Sequence, residues 1–246
     1  MNKYKAVIEY DGTDFNGFQA QPEGTRTVQG ELISVLSRIL DDRISISYSG
    51  RTDSGVHATG QVIAFVTEKE LDLYRFKWSL NNLLPPDISV KRLEPAGISF
   101  DPRRDARWRE YIYNVVNSDN QSVFLKKYSI LITRKLDLGS MVKAAGAFKG
   151  KYDFSPFSSP SIREGSNVRE IYRFSLNVKG DGLLEFTVRA NSFLYNMVRI
   201  MIGTILEVGK NERKISEIEQ ALNTGKGSFS SSMAPAKGLF LKRVGY

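Results

Sequence analysis

Cysteine is absent from the 246-residue chain, and histidine occurs once, as His57. Without cysteine the chain has no disulfide bond, no thiol catalysis and no metal site built on thiolates. With one histidine it has no multi-histidine metal centre, and a Ser-His-Asp triad would have to use His57 itself. We therefore expect its chemistry to depend on carboxylates, arginines, tyrosines and hydroxyls.

Long hydrophobic runs are also missing. The most apolar stretch, residues 193–209 (FLYNMVRIMIGTILEVG), contains Asn196 and Arg199 and is too short for a comfortable membrane span. The N-terminal segment MNKYKAVIEYDG has no apolar core of the kind found in signal peptides. The sequence therefore predicts a cytoplasmic protein without a membrane partner.

The charge of the chain is unbalanced in favour of the basic residues. Its net charge is +8 and its pI is about 9.5, while 41% hydrophobic and 25% charged residues are typical of a globular protein. A basic excess favours a polyanionic partner, and no basic amphipathic helix stands out to suggest a membrane surface. Nucleic acid is therefore the expected partner class.

Hydrophobic periodicity predicts an α+β fold in two similar lobes, residues 1–103 and 104–246, with mostly antiparallel sheets that face each other. Alternation or β-rich composition predicts strands at 3–10, 44–49, 61–67, 87–94, 108–116, 172–180, 183–190 and 239–246. Helical spacing predicts helices that begin after Thr27 and that cover 74–84, 138–148, 193–208 and 215–222. On the third helix, Leu138, Met141, Val142, Ala145 and Phe148 are expected to share the buried face. Residues 155–168 (SPFSSPSIREGSNV) are rich in serine, proline and glycine, which predicts a mobile loop.

One short segment, SGRTDSGVHA at residues 49–58, places Arg51 and Asp53 among turn-forming residues. Gly50 and Gly55 allow backbone angles that other residues avoid. A surface turn whose aspartate binds its own backbone would explain the pattern, and so would a loop that presents a charged pair to a ligand. The glycines indicate a loop rather than a helix or an ordinary strand, and the loop position gives His57 no obvious relay partner.

Arginine is concentrated in residues 100–114 (FDPRRDARWREYIYN), which lead into Tyr111 and Tyr113. Arginines such as Arg103 and Arg104 can contact phosphates, and a tyrosine offers a face on which a base can stack. A solvated edge beside tyrosines packed in a core fits the same pattern.

Arg199 stands out because it lies in the apolar helix between methionine, valine and isoleucine. A buried arginine is too costly to keep without a partner, so we expect a carboxylate nearby. The alternative is a side chain that extends to the surface.

These segments together resemble the TruA family of tRNA pseudouridine synthases. SGRTDSGVHA resembles the catalytic motif of that family. The order and approximate spacing of three other segments also agree with it, namely YDGTDFNGFQAQPEGTRTVQGEL, FDPRRDARWREYIYN and NSFLYNMVRIMIGTILEVG. The closing AKGLFLKRVGY resembles the C-terminal strand of the family. The resemblance spans nearly the whole chain, and GRTDSGVHA is its most specific part.

The resemblance implies a role for each matching residue. Asp53 matches the catalytic aspartate, and Arg51 matches the arginine that helps to extrude the target nucleotide. Tyr111 matches the tyrosine that contacts the target base, and Arg199 matches the basic residue that pairs with the aspartate. Further substrate contacts are expected from Phe18, Gln19, Arg103, Arg104 and Leu194, and His57 is expected to be structural or to contact a phosphate. The chain departs from the family in Trp108, Arg109 and Glu110, which are bulky and charged where smaller residues usually precede the tyrosine.

The resemblance also implies two ferredoxin-like, RRM-like lobes with sheets facing a central basic cleft, a homodimer, and uridines at positions 38–40 of the tRNA anticodon arm as targets. The isomerisation consumes nothing, so no cofactor and no metal are expected.

Three alternatives remain at this point. A family member could act at other RNA sites, and a non-catalytic RNA-binding protein with RRM-like lobes would also be basic and rich in tyrosine. A hydrolase of glycosidic bonds would need a second carboxyl group, for which Glu110 can be nominated.

Overall fold

The computed structural model describes residues 1–22, 24–160, 165–225 and 232–246. The secondary-structure elements within these ranges are numbered in chain order. The strands are β1 Asn2–Tyr10, β2 Ile46–Tyr48, β3 His57–Thr67, β4 Ile88–Ala96, β5 Trp108–Asn117, β6 Ile130–Ile132, β7 Gly150–Asp153, β8 Val168–Val178, β9 Leu183–Ala190 and β10 Leu239–Gly245. The helices are α1 Val28–Leu40, α2 Leu73–Leu83, α3 Leu138–Ala147, α4 Met197–Gly209 and α5 Ile215–Thr224.

The chain divides into two compact units. The first contains residues 1–107 and 240–246, and the second contains residues 108–239. The sequence placed the division between residues 103 and 104 and assigned the last strand to the second lobe. The last strand instead lies in the first unit, because Phe240 and Leu241 pair in parallel with the start of β3.

The first unit is a sheet with β1 between β3 and β4, and both pairings are antiparallel. β2 adds to β3 in the antiparallel sense, and β10 adds to the start of β3 in parallel. Strand β1 follows the predicted period of two, because its alternate residues Tyr4, Ala6, Ile8 and Tyr10 are buried. Its pairing with β3 places Tyr10 opposite Ala58, which brings the end of β1 beside the segment that contains Asp53.

Helix α1 begins where the sequence predicts, because the Thr27 hydroxyl accepts a hydrogen bond from the Gly30 N–H. Its buried residues recur at helical spacing and are Val28, Leu32, Val35, Leu36 and Leu40. Helix α2 ends at Leu83, ahead of the two prolines, and buries Phe76 and Leu80.

The second unit is a sheet in which β5, β9, β8 and β7 are neighbours in that order, and every one of these pairings is antiparallel. The short strand β6 pairs with β5 in parallel. Phe148, at the end of α3, packs against Phe157 and Phe174, and Phe174 contacts Phe186 of β9. This aromatic cluster joins the helical layer to the sheet. The α+β prediction with mostly antiparallel pairing is confirmed.

Several local predictions differ from the structure. β6 and β7 are only three and four residues long, too short for a clear alternation in the sequence. Helix α4 begins at Met197 instead of residue 193, because Asn196 adopts a left-handed conformation with φ of 59°. The prediction that Val142 belongs to the buried face of α3 was wrong, because 52% of the residue is exposed while Ala144 is buried.

Two expectations about mobile or apolar segments can also be compared with the structure. Of the predicted loop at 155–168, residues 161–164 lie outside the described residues, while Ser155–Phe157 form a short 3-10 helix. In the ranges that the structure describes, no helix combines the length and apolarity that a bilayer crossing requires.

Candidate active site

The segment at 49–58 is attached to the sheet at its N-terminal end by Gln61 of β3. The Gln61 amide donates to the Gly50 carbonyl at 2.7 Å, and its Oε1 accepts from the Ser49 hydroxyl at 2.5 Å. Gln61 has no exposed surface, so these bonds form in a protein interior where a polar side chain must find partners. The loop is thus fixed before it reaches Arg51.

The middle of the segment is held by the loop that follows β1. The Phe18 N–H donates to the Thr52 carbonyl at 3.1 Å, and the Ser54 hydroxyl donates to the Phe15 carbonyl at 3.1 Å. The residue between them, Asp53, is partly exposed, and its carbonyl accepts the Val56 N–H at 3.1 Å. Neighbours on both sides therefore fix the backbone that carries Asp53.

Glycine at position 17 makes this approach possible. Its φ is 86°, and a Cβ there would lie 3.0 Å from the Thr52 carbonyl oxygen and 3.4 Å from the Asp53 carbonyl carbon. Any larger residue would push against the segment and would also be strained at this φ.

Arg51 and Gln19 are brought together by the same packing. Arg51 is exposed, and its Nη1 donates to the Gln19 Oε1 at 3.3 Å. Two predicted substrate contacts from separate parts of the sequence thus meet at the surface of the first unit. A guanidinium that extends into solvent beside the Asp53 loop can reach a phosphate or a displaced base.

The expectation for Phe18 needs correction. Its side chain is completely buried and packs between Tyr10 and Tyr48, with ring centroids 6.0 and 4.7 Å away. A side chain without exposed surface offers no face to a base, so Phe18 supports the loop from inside instead of lining an RNA path.

His57 is also placed differently from the sequence expectation. It is the first residue of β3 rather than part of a loop, and only 1% of it is exposed. Its Nδ1 accepts the Gly12 N–H at 3.0 Å and lies 3.1 Å from an Asp11 carboxylate oxygen, while its ring stacks on Phe240. The structural role is supported, and burial excludes the phosphate contact in this conformation.

Arg103 and Arg104 lie on an exposed turn of the first unit. Both backbone N–H groups donate to one Asp101 oxygen, at 2.8 and 2.9 Å, and the Arg104 side chain remains 85% exposed. The N–H of Arg104, together with that of Arg103 and the nearby guanidinium, lowers the pKa of Asp101. The turn is thus held by two backbone bonds, and the Arg104 Nε adds a bond to the other Asp101 oxygen at 3.2 Å.

In the second unit, Tyr111 lies on β5 and is largely buried. Its ring meets Phe193 edge to face, with centroids 5.1 Å apart. Leu194, the next residue after Phe193 in the chain, is partly exposed.

Arg199, on the first turn of α4, is partly exposed in the structure. Its Nε donates to the Ala234 carbonyl at 2.8 Å, and its Nη1 lies 3.4 Å from the Asn196 Oδ1. Its neighbours Met197, Val198, Met201 and Ile202 are buried, whereas Ile200 is partly exposed. Carbonyl and amide oxygens thus contribute to the partners that an arginine in an apolar helix requires.

Tyr113, two residues after Tyr111, has a different environment. Burial raises its pKa well above the ordinary value, although the nearby Arg199 acts in the opposite direction. Its hydroxyl donates to the Pro235 carbonyl at 2.8 Å. Tyr113 therefore remains a neutral donor, and Tyr111 is the better candidate for contact with a ligand.

Glu110 does not behave as the second carboxyl group of a hydrolase. Its Oε2 accepts from the Arg189 Nε and Nη2 at 2.9 and 2.7 Å, and the Arg189 guanidinium lies over the Trp108 ring. Trp108 and Glu110 thus form a cross-strand cluster with Arg189, which lies directly opposite Glu110 in the register.

Sequence reasoning missed the residues that support the Asp53 loop. The signal for Gln61 was present, since it is a polar residue at the start of the apolar run that follows the motif. Tyr10 and Gly12 looked like the end of a strand and an ordinary turn, and only the fold shows that they contact the motif.

Comparison with known proteins gives one consistent result. The profile of a family described as tRNA pseudouridine synthase matches residues 6–103 and 144–246. Curated proteins named tRNA pseudouridine synthase A are similar over nearly their whole length. That of Brevibacillus brevis shares 39% identity over 100% of this chain and 100% of its own length. That of Bacillus pumilus shares 42% identity over 99% of this chain and 99% of its own length. That of a Geobacillus species shares 42% identity over 99% of this chain and 98% of its own.

Proposed function

We propose that Asp53 is the catalytic carboxylate of this chain, which belongs to the tRNA pseudouridine synthase family, and that its target uridines lie at positions 38–40 of the anticodon arm. The chain isomerises uridine to pseudouridine in tRNA. The observation that carries the proposal is Asp53 itself, partly exposed on a segment that is fixed on both sides.

The reaction explains why a fixed carboxylate is needed. The bond from uracil N1 to ribose C1′ breaks, the uracil turns, C5 joins C1′, and the hydrogen on C5 leaves as a proton while N1 gains one. A carboxylate beside C1′ can stabilise positive charge, attack the sugar or remove a ribose proton. Each of these roles requires an ionised group held in a defined place.

The other proposed roles follow from the family resemblance and from local exposure. Arg51, which is exposed and bound to Gln19, occupies the space of the extruded nucleotide. Tyr111 contacts the displaced base, with Leu194 beside it, and Arg199 pairs with the catalytic carboxylate. The exposed Arg103 and Arg104 contact phosphates.

The remaining parts of the proposal concern assembly and location. The protein acts as a cytoplasmic homodimer, and its two RRM-like lobes border a basic cleft that holds the RNA. The net charge of +8 supports an RNA partner but does not identify the uridines.

Replacement of Asp53 by asparagine tests the proposal. The substitution keeps the shape of the side chain and removes its charge. We expect Asp53→Asn to release no tritium from tRNA labelled at uridine C5, while RNA affinity stays within about threefold of the parent, because affinity depends mainly on phosphate contacts. Asp14→Asn is a matched control, since Asp14 is exposed on the loop that supports the motif.

Chemical mapping of pseudouridine in the product tRNA tests the target sites. Modification confined to positions 38–40 supports the anticodon-arm assignment, and modification elsewhere refutes it.

Turnover by Asp53→Asn near the parent rate would show that another residue carries the chemistry.

A further inference from the structure

A pair of buried hydroxyl groups lies directly beside the proposed catalytic residue. The Tyr10 hydroxyl, at the end of β1, is 2.7 Å from the Thr52 hydroxyl. Tyr10 is 4% exposed and Thr52 is 3% exposed. The two residues are far apart in the sequence, so the contact joins β1 to the segment that carries Asp53.

The contact between Tyr10 and Thr52 bears on the position of Asp53, which is the next residue in the chain. The Phe18 N–H holds the Thr52 carbonyl, but this backbone bond does not set the rotamer of the Thr52 side chain. The bond to Tyr10 fixes that rotamer and holds the residue from the interior. Asp53 follows directly, so a shift of Thr52 moves the carboxylate.

We propose that Tyr10 is a positioning residue for Asp53, acting through the hydroxyl of Thr52. The proposal rests on the catalytic role of Asp53. Tyr10 itself is buried and lies beneath the loop, so it acts without touching the substrate. Catalytic geometry tolerates errors of only about 0.5 Å, and a displacement near 1 Å can cost roughly a hundredfold in rate.

The chain offers a matched control for the loss of one tyrosine hydroxyl. Tyr4 lies on the same face of β1, is 5% exposed, and accepts the Leu71 N–H at 3.0 Å. Tyr10→Phe and Tyr4→Phe therefore each remove one buried, hydrogen-bonded hydroxyl from the same strand. A purely structural role of the hydroxyl predicts similar losses of stability and no difference in catalysis.

The experiment measures kcat and KM for tritium release from tRNA labelled at uridine C5, together with urea unfolding. We expect Tyr10→Phe to lower kcat at least about tenfold, with KM within about threefold of the parent. Tyr4→Phe should keep kcat within about twofold, because its hydroxyl lies away from the Asp53 loop.

Substitutions at Thr52 test the other half of the pair. Thr52→Ser keeps the hydroxyl and should retain most of the parent kcat, whereas Thr52→Val keeps the shape, loses the hydroxyl and should match Tyr10→Phe. The double variant Tyr10→Phe/Thr52→Val should lose no more than either single variant, since both remove the same bond.

The outcomes separate this inference from the proposed function. If Asp53→Asn is inactive while Tyr10→Phe keeps the parent kcat, the positioning role is wrong and the catalytic role stands. Equal losses of kcat in Tyr10→Phe and Tyr4→Phe, or additive losses in the double variant, would also overturn the inference. Full activity of Asp53→Asn would refute both the catalytic role of Asp53 and the positioning role of Tyr10.

Discussion

Replacement of Gly12 by alanine should separate catalysis from folding. Gly12 follows β1, and its N–H donates to the Nδ1 of His57 at 3.0 Å. A methyl group at this position would overlap with the Val56 carbonyl oxygen and would lie 2.6 Å from the Val56 carbonyl carbon. Both atoms belong to the backbone, so no flexible side chain can give way.

The size of the displacement follows from the distance between the added methyl group and the Val56 carbonyl group. Ordinary van der Waals contact begins at 3.4 Å, so the Gly12 loop and the end of the Asp53 segment must separate by at least about 0.8 Å to clear the carbonyl carbon, and by more to clear the nearer carbonyl oxygen. Overpacking of this kind typically costs 1–3 kcal/mol of folding free energy. A shift close to 1 Å beside the proposed catalytic group costs up to about a hundredfold in rate. A folding cost of 1–3 kcal/mol leaves most of the roughly 5–15 kcal/mol that stabilises a typical domain, so the variant should lose activity and stay folded.

The assay compares kcat for pseudouridine formation with the free energy of unfolding in urea. Gly12→Ala should lose 10- to 100-fold in kcat and remain folded. Gly97→Ala is the control, because a methyl group there meets nothing within 4 Å, and it should resemble the parent in both measurements. A parent-like kcat for Gly12→Ala would refute the idea that this contact sets the position of the Asp53 loop.

Two further predictions concern the arginines and an ion pair. The double replacement of Arg103 and Arg104 by alanine should weaken tRNA binding and flatten the slope of log affinity against log salt by about 0.7 to 0.9 per lost phosphate contact; an unchanged slope would place the RNA path elsewhere. Glu110→Gln should reduce the free energy of unfolding by about 2–4 kcal/mol, somewhat below the range for fully buried pairs because Arg189 is 30% exposed. Glu94→Gln breaks the pair that Glu94 forms with Lys5, in which the glutamate side chain is 49% exposed against 7% for Glu110, and should cost under about 1 kcal/mol in the same urea titration. Equal losses in the two variants would show that burial adds nothing to the Glu110 pair.

The sequence predicted the longer elements of the fold because their periodicity comes directly from burial. β1 and α1 each present one apolar face to the core, and the apolar residues of that face recur in the sequence at the period of a strand or a helix. The start of α1 was also predictable, since a threonine hydroxyl caps it locally. The two short strands β6 and β7 were missed because three or four residues do not establish a period.

The candidate site was predictable only in part. Asp53 could be found because its glycine-rich segment resembles a known catalytic motif. The side chains that fix the segment come from β1, from the following loop and from β3, and their importance depends on strand pairing. Pairing of β1 with β3 brings Tyr10 opposite Ala58, within reach of the motif. The local sequence around Tyr10 does not predict this long-range contact.

Polar groups in apolar surroundings show most clearly that the sequence does not identify the partner of a residue. Elementary energetics requires that such a group has a partner, but it does not say which one. The partners in this structure include a carbonyl for Arg199, a backbone N–H for His57 and a cross-strand arginine for Glu110. The Glu110 pair depends on the register of β5 with β9, and a shift of one residue would place Val188 or Ala190 opposite Glu110. The chemistry of a residue thus fixes the need for a partner, whereas the fold decides whether that residue is used for stability or remains available for catalysis.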